Sequence, residues 1–248
     1  MNVFNPFSLE GKTIMVTGAS SGIGRGVAIT CSKMGAKVII NGRNTAKLQE
    51  TSIFMVDGSA TIMSGDLTDS AALKSIVEAL PKLDGLVHCA GLGQRLPCKD
   101  VESKDVDEVM NVNFKAPVML QAEILRQKKL NKAASIVYVA SIASWSPSLG
   151  NSIYSASKGA MVSYANCLAL ELAPRKIRVN CISPAMVWTD LIQNDAVDIE
   201  QLKEDEQVYP LKRYGQPEDI ANLAVYMLSD ASSWMTGSNV NITGGGIL

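Results

Sequence analysis

Metal-binding and cross-linking residues are scarce in this sequence. Histidine occurs once, at position 88, and the five cysteines (Cys31, Cys89, Cys98, Cys167 and Cys181) include no Cys-x-x-Cys pair. A lone histidine without cysteine or carboxylate partners at ligand spacing cannot make a zinc site. An odd number of scattered cysteines, most in apolar runs, reads as reduced, packed thiols. Net charge is nearly absent too, at −1 over 248 residues. That balance gives no reason to expect a nucleic acid or an anionic membrane as partner. No apolar run is long enough to span a bilayer. The stretch Met1 to Phe7 carries neither a basic n-region nor the apolar core of a signal peptide. A soluble cytoplasmic protein is the simplest reading. No internal repeat, low-complexity tract or linker is visible, and the length suits one α/β domain over residues 1–248.

What is present is an alternation of short β-branched runs with helical patterns. Lys12 to Thr17 reads as a strand, and Thr17-Gly18-Ala19-Ser20-Ser21-Gly22-Ile23-Gly24 follows it. A helical pattern then runs to a stop at Gly35. Strand, glycine-rich turn and helix start together make a phosphate cradle: glycines admit the backbone to a pyrophosphate, and free N–H groups at the helix start bind its charge. A second strand, Lys37 to Ile40, ends in Asn41-Gly42-Arg43-Asn44. A carboxylate that would hold a ribose 2′-hydroxyl is missing there, while Arg43 and Arg25 offer two guanidiniums for a 2′-phosphate. The pattern favours NADP(H), with NAD(H) as the alternative.

Further along, a helix over Thr45 to Phe54 precedes a strand near Thr61 to Met63. Asp66-Leu67 follows, where a carboxylate accepts from an adenine amino group, and Asp69 is placed to cap the next helix. Leu83 to Cys89 is a fourth strand, and a helix is expected from about Ser103 through Asn113 to about Leu130. Ile136 to Val139 is the fifth strand, Ile177 to Ile182 the sixth and Asn239 to Thr243 the last. The alternation calls for a parallel sheet covered on both faces.

The most informative stretch runs from Ser141 to Lys158. Tyr154 and Lys158 stand four residues apart on a helical pattern, hence on one face and one turn apart. An ammonium beside a phenol favours the ionised ring, which equips tyrosine for acid–base work. Ser141, at the end of the incoming strand, can donate to a substrate oxygen that gains charge. After the sixth strand come Pro184 to Thr189 and then a polar, acidic stretch over 190–209, which reads as a mobile lid over the substrate.

Taken together, these residues resemble the short-chain dehydrogenase/reductase family over nearly the whole chain. The resemblance rests on the Thr17–Gly24 loop, Asp66, Asn113, Ser141, Tyr154, Lys158 and Pro184 to Thr189 in the family's order. The tail through Arg213, Pro217-Glu218-Asp219 and Gly244-Gly245 looks like the 3-oxoacyl-(acyl-carrier-protein) reductase branch of fatty acid biosynthesis. The resemblance implies a Rossmann-type, doubly wound, seven-stranded, mostly parallel sheet with helices on both faces. It implies that Tyr154 donates the proton, Lys158 assists it and binds the nicotinamide ribose, Ser141 polarises the carbonyl, and Asn113 holds a relay water. Cofactor contacts are implied at Gly18, Ser20, Ser21, Gly22, Ile23, Gly24, Arg25, Arg43, Asp66, Leu67, Ala90, Gly91, Tyr154, Lys158, Pro184, Val187 and Thr189, and no metal. It also implies a homotetramer paired through the helix from Asn113 and the one bearing Tyr154.

Two positions depart from the family pattern. His88-Cys89-Ala90-Gly91 stands where Asn-Asn-Ala-Gly is usual, and His88 reads as structural; Pro184-Ala185 stands where Pro-Gly is usual. The expected activity is NADPH-dependent reduction of a ketone, either small or linked to a carrier, with a 3-oxoacyl group on an acyl carrier protein favoured. Arg126, Lys128, Lys129, Lys132, Arg175 and Lys176 form a basic cluster for an acidic carrier. The alternatives are a reductase or dehydrogenase of a small alcohol, sugar or steroid, and a non-catalytic dinucleotide sensor.

Overall fold

The computed structural model describes residues 4–193 and 198–246. Its seven strands are β1 (Thr13–Thr17), β2 (Lys37–Gly42), β3 (Ala60–Ser64), β4 (Leu83–His88), β5 (Leu130–Val139), β6 (Arg178–Pro184) and β7 (Asn239–Ile242). They form one all-parallel sheet in the order β3-β2-β1-β4-β5-β6-β7. The order reverses between β1 and β4, so a crevice opens at their carboxyl ends, where Thr17 pairs with His88.

Strand residues alternate between two cores, as the two-residue period demands. Met15, Leu86, Ile136 and Tyr138 face the layer of α3 (Ser70–Ala79), α5 (Ala116–Arg126) and α6 (Ser152–Leu172). Ile14, Val16, Val87 and Val137 face α1 (Gly22–Lys33), α2 (Thr45–Ile53) and α9 (Pro217–Leu228). With both faces covered, the central strands are apolar throughout, which is why their sequences show runs rather than alternation. Asp69 caps α3 as expected, its carboxylate accepting from the Ala71 N–H at 3.0 Å.

Three expectations change. The helix expected from Ser103 to Leu130 is interrupted: α4 (Ser103–Met110) passes into a wide helical turn at Asn111–Lys115 before α5 ends at Arg126. Such wide turns change the phase of a helix at one point and leave its apolar pattern readable, so the break has no sign among the residue types. Strand β5 begins at Leu130, not Ile136, because Lys128 at φ +55° stops the helix early. Its first half, Asn131-Lys132-Ala133, is polar and partly exposed, with Ala133 at φ +60° beside a register shift against β4. The expected lid over 190–209 contains two short helices, α7 (Asp190–Gln193) and α8 (Ile199–Glu206); its residues 194–197 lie outside the described residues. It is also better anchored than its polarity suggested. Leu202 is buried, the Trp188 indole N–H donates to Glu206 at 2.6 Å, and Tyr209 packs edge-on against Tyr214.

The thiols are mixed in exposure: Cys31 and Cys181 are buried, Cys89 is half-buried, and Cys98 and Cys167 are exposed rather than packed. Among the described residues no helix is long and apolar enough to cross a membrane.

Ala133 offers a direct check on β5. A left-handed alanine costs about 1–2 kcal/mol, and glycine there returns roughly 0.5–1 kcal/mol of that as extra unfolded-state freedom. Ala133→Gly is expected to stabilise the protein by about 0.5–1 kcal/mol in urea unfolding; a loss of stability would mean that the bulge is not strained.

Candidate active site

The first part of the site is a cleft of about 410 Å³ at the β1/β4 switch point. Its floor is backbone. Gly18, at φ +66°, lies so close to β4 that a Cβ would stand 2.8 Å from the Ala90 Cα and N. A Cβ on Gly24 would stand 2.2 Å from the Gly18 carbonyl oxygen. The loop is therefore folded on itself at a distance only glycine permits. Ser21 precedes α1 without giving it a side-chain cap, so the N–H groups of its first turn are left for an anion. Thr17 fixes the facing wall: its hydroxyl oxygen accepts from the N–H groups of Cys89 and Ala90, both at 3.2 Å. A pyrophosphate fits this cradle of bare backbone and unpaired donors.

Of the residues named from the sequence, Gly18, Ser20, Ser21, Gly22, Ile23, Gly24, Arg43, Asp66, Leu67, Ala90, Gly91 and Thr189 line this cleft. Arg25 does not. Its guanidinium is turned behind the loop, donating to the Ser20 carbonyl at 2.7 Å and the Thr51 hydroxyl at 3.0 Å, and pairing with Glu50 at 3.3 Å. Of the two arginines expected at a phosphate, only Arg43 faces the cleft. Pro184, Val187, Tyr154 and Lys158 lie off the cleft lining as well, with Val187 bridged to Gly215. Lys47, on the first turn of α2, lines the cleft and was not singled out in the sequence. Only its place four residues beyond Arg43, across the turn into α2, could have suggested it. Asp66 accepts from the Thr68 N–H at 2.9 Å and the Thr68 hydroxyl at 2.7 Å, both on Oδ1. These two bonds hold its carboxyl below the usual range, with the Arg43 charge adding to them.

The second part adjoins the first at Gly91. A Cβ on Gly91 would stand 3.4 Å from Lys158 Nζ and 3.2 Å from Asn113 Oδ1. Lys158 is buried, donates to the Val139 carbonyl at 2.9 Å, and lies 5.8 Å from the centre of the Tyr154 ring. Asn113, from the wide turn, accepts from the Leu92 N–H at 2.8 Å and donates to the Leu92 carbonyl at 2.9 Å and Ser157 at 3.1 Å. Ser141 follows β5, and its hydroxyl oxygen accepts from the Ala143 N–H at 3.1 Å. That bond leaves the hydroxyl proton to donate elsewhere. The turn after Ser141 rests on α6, with Ser144 facing Gly159. The arrangement sets an ammonium beside a phenol ring and next to an amide and Gly91 of the cleft, with a serine hydroxyl just beyond the strand whose last carbonyl the ammonium binds, groups suited to proton transfer to a carbonyl oxygen. Among the described residues no three metal-ligating side chains gather.

The chain is similar to known proteins over nearly its whole length. The sequence profile described as enoyl-(acyl carrier protein) reductase matches residues 18–246. A 3-oxoacyl-[acyl-carrier-protein] reductase of Rickettsia felis is 33% identical over 237 residues, covering 96% of this chain and 97% of its own. Two solved structures superpose over nearly their full lengths. The 3-ketoacyl-(acyl-carrier-protein) reductase of Brucella melitensis, complexed with NADH, has a TM-score of 0.87 at 30% identity, covering 97% of this chain and 100% of that one. A Beutenbergia cavernae protein described as an NAD(P)-dependent gluconate 5-dehydrogenase, with NADP at low occupancy, has a TM-score of 0.88 at 33% identity, covering 98% and 99%.

His88 and Cys89 take the places of two asparagines of the family pattern. His88 is 4% exposed and stacks flat on Tyr138, ring centres 4.4 Å apart. Burial pushes its imidazole down from 6.5 to about 4, with Gln121 opposing. Burial likewise pushes the Cys89 thiol up to about 12, with the Lys158 charge opposing. Both are neutral near pH 7. The unfolded chain protonates His88 as pH falls through about 6.5, while the folded chain resists until about 4. Stability from this group is therefore complete above pH 6.5 and is lost between 6.5 and 4, by up to about 3 kcal/mol. His88→Asn should flatten the dependence of urea-unfolding stability on pH over that window; an unchanged slope would show that His88 is not buried in its neutral form.

Proposed function

The chain belongs to the short-chain dehydrogenase/reductase family of oxidoreductases, and from that premise we propose that it is a cytoplasmic, NADPH-dependent reductase of a ketone to a secondary alcohol, with a 3-oxoacyl group on an acyl carrier protein as the substrate. The observation that carries the reading is the Lys158 ammonium beside the Tyr154 ring, with Gly91 of the cleft lining next to Lys158 Nζ. When bound, a reduced nicotinamide supplies the hydride. Tyr154 gives its phenolic proton to the carbonyl oxygen as charge develops there, and the Ser141 hydroxyl donates to the same oxygen. Lys158 attracts the ring oxygen left negative by the transfer. Both N–H groups of the Asn113 amide are used, by Leu92 and Ser157, so Asn113 meets a relay water only as an acceptor. Arg43 and the lack of a carboxylate at the end of β2 support NADPH.

The carrier reading needs a second copy of the chain. Lys128, Lys132, Arg175 and Lys176 stand at the amino ends of β5 and β6, opposite the edge that holds Ser141. The 21 residues of α6, at about 1.5 Å each, separate Tyr154 from this cluster by roughly 30 Å. Two copies pairing their α6 helices about a twofold axis would bring the cluster of one beside the Tyr154 of the other. Exposed Leu170 on α6 and Met119 on α5 support that pairing within a homotetramer. Three members of the wider cluster serve their own chain: Arg126 pairs with Glu123, Lys129 donates to the carbonyls of Glu78 and Leu80, and Arg175 to that of Leu130.

The distance of the cluster from its own site also favours a second reading, a dehydrogenase or reductase of a small sugar or alcohol. The Beutenbergia cavernae relative carries such a description.

Tyr154→Phe keeps the ring and removes the acid. It is expected to lower kcat for NADPH-dependent ketone reduction by about 10²–10⁴-fold while NADPH still binds; a wild-type rate would remove the assignment. Lys128→Glu with Lys132→Glu should raise KM for a carrier-linked 3-oxoacyl substrate several-fold and leave KM for a small thioester unchanged. Equal effects on both would favour the small-substrate reading.

A further inference from the structure

The rim of the cleft carries an ion pair that spans it. Lys47, from the first turn of α2, has its Nζ 3.7 Å from Asp190 Oδ2, at the start of α7. Both side chains line the cleft, and both are about half exposed, at 49% and 52%. The backbone of Lys47 is fixed, because its N–H donates to the Asn44 side chain that caps α2, at 3.0 Å. On the far side, Thr189 presses on the glycine loop: a Cβ on Gly22 would stand 3.0 Å from Thr189 Cγ2. Arg43 lines the same rim, and Asp66, which feels its charge, stands with it.

The end of β2 is where a dinucleotide's adenosine ribose rests in such folds. Lys47 therefore stands where a 2′-phosphate arrives, already holding an anion of the protein. A half-exposed pair at 3.7 Å is weak. A phosphate brings more charge and more acceptor oxygens than one carboxylate.

We propose that Lys47 exchanges Asp190 for the 2′-phosphate of NADP(H), so that Asp190 is an internal competitor for the cofactor's phosphate. This rests on the NADPH reading above. NADH carries a hydroxyl at that position and leaves the ion pair in place. The competitor weakens NADPH binding while keeping it selective, and recaptures Lys47 as the spent cofactor leaves.

The test is direct binding of NADPH and NADH to the full chain, read by quenching of protein fluorescence without substrate. Lys47→Met should weaken NADPH binding about tenfold and leave NADH within twofold. Asp190→Asn should tighten NADPH binding two- to fivefold and leave NADH unchanged. In the double variant the gain from Asp190→Asn should vanish, because its target is gone. The proposal is overturned if Asp190→Asn alters both cofactors alike, if its gain persists without Lys47, or if Lys47→Met leaves NADPH binding intact. Wild-type protein binding NADPH no more tightly than NADH would overturn both this exchange and the cofactor reading. A preference for NADPH that Arg43→Met abolishes and Lys47→Met does not would overturn the exchange alone.

Discussion

Lys158 brings a full positive charge to 7% exposure. Burying an ammonium costs several kcal/mol unless fixed dipoles replace its water, and much of this fold supplies those dipoles. The Val139 carbonyl, the last of β5, accepts from it directly and so ties α6 to the carboxyl edge of the sheet. Gly91 lacks a Cβ where one would press on both Nζ and the Asn113 oxygen. Asn113 reaches this point from a wide turn, clamps Leu92 at both backbone groups and bonds Ser157 one residue before Lys158. The ammonium is thus met by the Val139 carbonyl, Asn113 and the bare backbone of Gly91, with the Tyr154 ring 5.8 Å away. Helix α6, the wide turn and the β4 loop are held in mutual register by that requirement.

The parts legible in the sequence were those fixed by backbone and by period. Gly18, Gly22 and Gly24 could be placed because a phosphate cradle needs bare backbone after a strand; the structure packs Gly18 and Gly24 at distances that forbid a side chain and holds Gly22 at φ +51°. Tyr154 and Lys158 could be paired because four residues make one helical turn. The strands could be counted because a sheet covered on both faces needs apolar runs, with only the first half of β5 escaping by being polar.

Side-chain partners were less legible, for a physical reason. An arginine after a glycine loop can turn towards a ligand or back towards its own protein, and the choice depends on residues distant in sequence. Arg25 turned back because Thr51 and Glu50 of α2 stand within reach, some 25 residues on. Lys47 turned inward because Asp190 waits across the cleft. The anchors of the 190–209 stretch were hidden likewise, since Trp188 and Tyr214, which hold it, lie just outside its ends. The wide turn at Asn111–Lys115 leaves no compositional mark at all.

These two kinds of legibility divide the molecule by function. The floor of the cleft is backbone against backbone, at contacts where a single methyl group is excluded, so it can vary little and fixes the class of chemistry. The rim is made of half-exposed charges, Lys47 and Asp190 above all, whose exchange costs little. Relatives that superpose closely on this chain carry descriptions as different as a carrier-protein ketoreductase with NADH and a gluconate dehydrogenase with NADP. A floor that stays while the rim is substituted would produce such a spread. Cofactor preference and substrate then belong to a few side chains whose partners are set by tertiary contact.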